Sequence, residues 1–149
     1  MPNENKQDTV KNLTNLLADS YSLYLKTQNY HWNVVGPMFN SLHVLFQQQY
    51  EELSLAVDEI AERIRIIGAP TPGSFTAFQK YSSIEEENAY PKALEMIQKL
   101  SNDQDLLVQS AHELLKVAEK ANDQPSIDLA IRRIEIHQKN KWMLHAHLE

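Results

Sequence analysis

The stretch NYHWNVVGPMFNSLHVLFQQQYEELSLAVDEIAERIR, Asn29 to Arg65, decides the fold. It carries His31 and His43, then Asp58 and Glu62 one helical turn apart. Gly36-Pro37 divides it, because proline lacks an amide proton and restrains the residue before it. Back to about Gln7 the chain reads as one helix. Val10, Leu13, Leu17, Tyr24 and Val35, with Leu16, Leu23 and Val34 beside them, make an apolar stripe at helical spacing. Forward of the break a second helix is expected, capped by Asn40 or Ser41 and continuing to Ile67. Gly68 would end it, with Pro70 and Pro72 following.

Residues 68–88 form a long connection. Phe75, Phe78 and Tyr81 make it too apolar for a free linker, so a short docked helix is expected at about Ser74–Lys80. Glu85–Glu87 would complement the dipole of the next helix, which runs from about Asn88 to Ala121. Its expected core residues are Leu94, Ile97, Leu106, Leu107, Leu114, Leu115 and Val117. Asn122-Asp123-Gln124-Pro125 breaks it. Ser126 then caps a last helix to about His147, with Ile127, Ala130, Ile131, Ile134, Met143 and Leu144. Four long helices, one short helix and no strand pattern give an all-α, four-helix bundle. A connection of roughly twenty residues argues for a crossover along the bundle, the ferritin-like arrangement, over a tight hairpin.

The 149 residues suit a single domain over 1–149, with residues 1–6 expected to form a disordered tail. No apolar run reaches membrane-spanning length, and MPNENKQDTVK has no apolar segment of a secretory signal. Cysteine is absent, which removes disulfides, a thiolate nucleophile and a Cys-based zinc site. These features together point to the cytoplasm. The net charge of −6 repels nucleic-acid phosphates and attracts cations. Lys6 and Lys11, set against Glu4 and Asp8, make a poor DNA-binding arm.

Imidazole nitrogen and carboxylate oxygen suit divalent metals. An acidic pair such as Asp58 and Glu62 is more often a solvated face with a neighbouring Arg65, but helix geometry shifts the balance. At about 100° per residue, Leu42, Phe46, Leu53, Ala56, Ile60, Ile64 and Ile67 centre on one face. His43, Gln47, Tyr50, Ser54, Asp58, Glu62 and Arg65 centre about 140° round from it. The candidate ligands therefore face away from the subunit's own core. His43 and Asp58 also lie fifteen residues apart on one helix, a rise of about 22 Å. One ion reaches both only if a second copy lies antiparallel across a two-fold axis near Tyr50–Glu51. Each site then takes histidines, His43 with His31 beside it, from one subunit and carboxylates from the other.

At these residues the chain resembles the Dps family, ferritin-like mini-ferritins named as DNA-binding proteins from starved cells. The matching text is YHWNVVGPMFNSLHVLF (Tyr30–Phe46) and DEIAERIRIIG (Asp58–Gly68), with weaker matches in GSFTAFQKYSSI and HQKNKWML. The resemblance implies a hollow homo-dodecamer with a two-fold interface along the second helix. It implies ferroxidase sites in which His31, His43, Asp58 and Glu62 bind iron. Fe(II) would be oxidised by hydrogen peroxide, or more slowly by dioxygen, and stored as Fe(III) mineral, protecting against oxidative stress. It further implies pore acids at Asp123 and Asp128 and an electron donor at Trp32, which reads equally well as a packing residue. The chain departs from the family where many members have an acid, at Gln47, and at His145, where an Arg is common. The basic tail of DNA-binding members is missing.

Two alternatives remain: a DNA-compacting protein with secondary iron chemistry, and a cage binding divalent metal without turnover. A di-iron site inside each subunit would need Glu-x-x-His on two helices, and no Glu stands three residues before any histidine.

Overall fold

The computed structural model describes residues 4–149: five α-helices and a closing 3-10 turn, with no strand among the described residues. They are α1 (Glu4–Asn33), α2 (Phe39–Ile66), α3 (Phe75–Tyr81), α4 (Ala93–Lys120) and α5 (Gln124–His145), followed by Ala146–Leu148. The all-α bundle with a short helix in its long connection is as expected. Residues 4–6 of the expected tail already belong to α1. Residues 1–3 lie outside the described part.

Helix directions follow from side-chain pairing. Asn5 reaches the Lys120 carbonyl, Asp19 meets Ser110, and Lys26 meets Asp103, so α1 and α4 run antiparallel. Arg133 pairs with Glu52 and Arg63 with Asp123, so α2 and α5 run antiparallel. With α1 and α2 joined by a short turn, α2 and α4 are parallel. That arrangement requires the crossover the connection length suggested.

The core is built from stripes of all four long helices: Leu13, Leu16, Leu17 and Leu23; Leu42, Phe46, Leu53, Ile60 and Ile64; Met96, Ile97, Leu100, Leu107 and Leu114; Leu129, Ala130 and Leu144. Each fully buried large apolar side chain contributes about 1.5–3 kcal/mol. Three expected core residues are exposed, Val35, Leu94 and Ile131, and Ile127 is half-buried outside the cluster. Val35 follows the end of α1 and Leu94 lies in the first turn of α4. Ile131 sits about 100° round from buried Ala130.

Several helix ends differ from the sequence reading. α2 is preceded by Met38 with no side-chain cap, and Ser41 Oγ instead donates to the Met38 carbonyl at 3.1 Å. α5 is capped by Asp123, which accepts from the Ser126 amide, while Ser126 itself is buried inside the first turn. At the end of α2, Gly68 (φ +99°) donates to Arg65 O at 3.0 Å and Ala69 to Ile64 O at 3.2 Å. This is the paired bonding that a left-handed residue after a helix permits.

α4 starts at Ala93, later than expected, because Glu85–Glu87 serve the crossover. The Lys26 ammonium donates to the Glu85 carbonyl at 2.8 Å and pairs with Asp103 at 2.9 Å. Tyr30 Oη donates to Glu87 Oε1 at 2.6 Å, and Lys99 donates to the same oxygen at 2.9 Å. These bonds, the tyrosine's first, hold the Glu87 carboxyl down to about 2. Asp19, fully buried, accepts from the Ser83 amide and from the hydroxyls of Ser82, Ser83 and Ser110. The crossover is thus tied to α1 and α4 by buried polar contacts.

Candidate metal centre

The short turn between α1 and α2 brings two histidines face to face. Gly36 takes a φ of +108°, a backbone conformation that a Cβ disfavours, and its carbonyl accepts from the Phe39 amide at 3.0 Å. His31, in the last turn of α1, then stacks on His43 in α2, with ring centroids 3.8 Å apart and planes 14° from parallel. Their hydrogen bonds are reciprocal. His31 Nδ1 lies 2.7 Å from the His43 carbonyl, and His43 Nδ1 lies 2.8 Å from the His31 carbonyl. A carbonyl oxygen only accepts, so both Nδ1 atoms carry a proton, and in the neutral form of each ring the lone pair lies on Nε2. Fixing the tautomer from behind in this way is how ligand histidines are held. Phe39 stacks on the far face of His43, centroids 5.0 Å apart.

Asp58 and Glu62 share an exposed face of α2. Neither forms an ion pair or side-chain hydrogen bond among the described residues. Arg65, the expected neutralising partner, donates instead to the Ala69 carbonyl at 3.1 Å. The other arginines nearby are committed: Arg63 to Asp123, Arg132 to Glu59, Arg133 to Glu52. Two unneutralised carboxylates one turn apart are a net attraction for a cation.

One subunit brings the histidines together and the carboxylates together, but not the four into one cluster. Among the described residues no three His, Asp or Glu side chains converge to hold a metal ion. α2 is unbroken from Phe39 to Ile66, so the rise of about 22 Å between His43 and Asp58 stands. Gln47, on the same face, donates its amide to Glu51 Oε1 at 2.9 Å.

The remaining expected residues separate. Trp32 is 61% exposed and makes no ring contact with either site histidine among the described residues. Asp123 is used as the α5 cap and in its 2.7 Å pair with Arg63. Asp128 is exposed, and it lines a shallow depression with Glu59, Glu62 and Arg132.

The contact that sequence reasoning missed is Tyr50, whose ring meets His31 edge-on at 5.2 Å and 72°. Its position on the His43 face was visible from the periodicity, but a contact to His31 on another helix was not. His137 is the other addition. It is fully buried, its Nδ1 donates to Gln104 Oε1 at 2.7 Å, and its Nε2 accepts from Arg133 at 3.0 Å. Burial first, and the Arg133 charge second, push its pKa well below 6.5. It is a neutral structural histidine with no free lone pair. Among the described residues, no helix is long and apolar enough to cross a membrane.

The family model described as a ferritin-like domain matches residues 10–149. A DNA protection during starvation protein from Brevibacillus brevis is 36% identical, covering 92% of this chain and 92% of its own. A DNA protection during starvation protein 2 from Bacillus anthracis is 33% identical, covering 97% and 98%. The crystal structure of a Dps protein from Bacillus brevis superposes with a TM-score of 0.96 at 34% identity, covering 100% of both chains. A Vibrio cholerae Dps structure, described as a member of a broad superfamily of ferritin-like diiron-carboxylate proteins, superposes with a TM-score of 0.93 at 32% identity. It covers 97% of this chain and 91% of that one.

Proposed function

This chain belongs to the ferritin-like family, in its Dps group, and on that premise we propose that it oxidises and stores iron at sites shared between subunits. The observation that carries the reading is a pair of Nε2 lone pairs on His31 and His43, held by reciprocal carbonyl bonds. Across α2 they are matched by the unpaired carboxylates of Asp58 and Glu62, which the same chain cannot bring to them.

In the proposed assembly α2 packs antiparallel on its copy about Tyr50–Glu51. Each ferrous ion, the substrate, is then held by imidazole from one subunit and carboxylate from the other. Mixed nitrogen and oxygen donors suit iron in both oxidation states. Hydrogen peroxide takes two electrons, its O–O bond breaks, and two ferrous ions become ferric without free hydroxyl radical. Dioxygen serves as the slower oxidant. Ferric product accumulates inside a hollow dodecamer, fed with cations by acids such as Asp128 and drawn by the summed negative charge. The same charge, −6 per chain, disfavours DNA as a partner. The expected setting is the cytoplasm.

Complementation tests this. His31→Ala/His43→Ala alone and Asp58→Asn/Glu62→Gln alone should both oxidise ferrous ion at the buffer rate. Co-assembled, half the dimers are mixed, and each mixed dimer has one intact site of two. Peroxide-driven oxidation should therefore return to about a quarter of wild type. No recovery in verified mixed assemblies would exclude the shared site, and unchanged oxidation in either variant alone would exclude the ligands.

A further inference from the structure

The middle of the bundle carries polar side chains that the fold leaves without protein partners. On α4, Ser101 and Gln104 stand three residues apart, one turn along one face. On α5, His137 and Asn140 do the same. His137 Nδ1 donates to Gln104 Oε1 at 2.7 Å. The two helices run antiparallel, so Ser101 lies level with Asn140. From α2, Gln49 Nε2 reaches the Asn140 carbonyl at 3.5 Å, longer than an ordinary hydrogen bond. Gln49, Ser101, Gln104 and Asn140 therefore meet at one level between three helices, and all four are buried. Each has a polar atom with no hydrogen-bond partner among the described residues: Gln49 Oε1, Ser101 Oγ, Gln104 Nε2 and Asn140 Nδ2.

We propose that this level is a binding site for ordered water, shared by α2, α4 and α5. A buried polar group left unpaired is costly, and such groups are met by protein or by bound water. None of the four atoms is within hydrogen-bond reach of another. A molecule placed between them is what satisfies them together, and its chemistry follows from what they offer. Two amide nitrogens donate, one carbonyl oxygen accepts, and the hydroxyl does either. Water donates two hydrogen bonds and accepts two, and a buried water makes about three. A metal ion would meet amide N–H groups where it needs lone pairs. An anion would meet Gln49 Oε1, and the charge of neighbouring Arg133 is already neutralised by Glu52. Among the described residues no hydrogen bond or ion pair joins α2 to α4, and the bound water supplies that polar bridge. The site is separate from the histidine pair and does not depend on the ferroxidase reading.

Two measurements on the assembled full-length protein test this: a crystal structure that resolves waters, and oxygen-17 relaxation dispersion of water in solution. The crystal should show a water within hydrogen-bond distance of at least two of the four atoms, one of them on α2 and one on α4 or α5. Relaxation dispersion counts waters held longer than the assembly tumbles. Gln49→Leu/Ser101→Ala should lower that count by about one per chain. Gln49→Met keeps the side-chain length without the amide, and should lower it likewise if the double variant does not fold. No water at this level, with the amides turned to pair directly with one another, would overturn the proposal. So would an anomalous signal there after bromide soaking, which makes it an anion site, or the same water count in wild type and the folded variants.

Discussion

Two histidine environments in this molecule use the same first bond and end in opposite chemistry. At the α1–α2 turn, His31 and His43 each donate Nδ1–H to a backbone carbonyl and leave Nε2 open. In the bundle interior, His137 donates Nδ1–H to Gln104, and Arg133 then donates to its Nε2. The second bond removes the lone pair a metal would use and sets a guanidinium where a cation would sit. The difference teaches that a histidine becomes a ligand through what is withheld from its second nitrogen. Beside His137, Arg133 is itself engaged, donating to Glu52 at 2.5 and 3.0 Å.

The largest effect should come from breaking the interior. Arg133→Ala strands Glu52 and the acceptor of His137, and removing one partner of a buried pair costs about 3–5 kcal/mol. Glu52 is partly exposed, so the lower end is expected, about 3 kcal/mol. Urea unfolding measures it. The contrast collapses if the variant loses metal affinity while its stability is unchanged.

Next comes the open site. His43→Ala should weaken binding of Co(II) or Zn(II) by about 100-fold, the upper end even for lost outer-shell partners. Unfolding free energy should change by less than about 1 kcal/mol, since the ring is only half-buried. Calorimetric titration and urea unfolding on one sample decide this. A stability loss without an affinity loss would make this pair as structural as His137.

The smallest effect is in pH. His137 stays neutral when folded and binds a proton near pH 6.5 when unfolded. Its contribution is therefore complete above pH 6.5 and is lost as pH falls below it. His137→Gln should flatten stability against pH between about 6.5 and 5. Glu87 acts lower. Its folded value of about 2 lies under the ordinary 4.5, so its contribution is whole above pH 4.5 and fades toward pH 2. An unchanged slope above pH 5 in His137→Gln would mean that the interior histidine titrates freely.

What the sequence determined by itself is what depends on local periodicity. The four long helices and the short one, the break at Gly36-Pro37 and the stop at Gly68 each follow from residues within a few positions. So do the opposed faces of α2, because helical rise and rotation are the same in every fold. That arithmetic alone separated His43 from Asp58.

Tertiary contact decided the rest. The expected caps Asn40, Ser41 and Ser126 gave way to Met38 and Asp123, because α2 enters from a tight turn and Asp123 is pulled toward Arg63. Glu85–Glu87 left the start of α4 to serve Lys26 and Tyr30 across the crossover. Leu94 and Ile131 matched the apolar pattern yet face outward, because only packing chooses which part of a broad stripe is covered. The tautomers of His31 and His43, the silence of His137 and the touch of Tyr50 on His31 all lie between helices. The physical reason is the same each time: a side chain's free valence depends on neighbours distant in the chain, which periodicity does not encode.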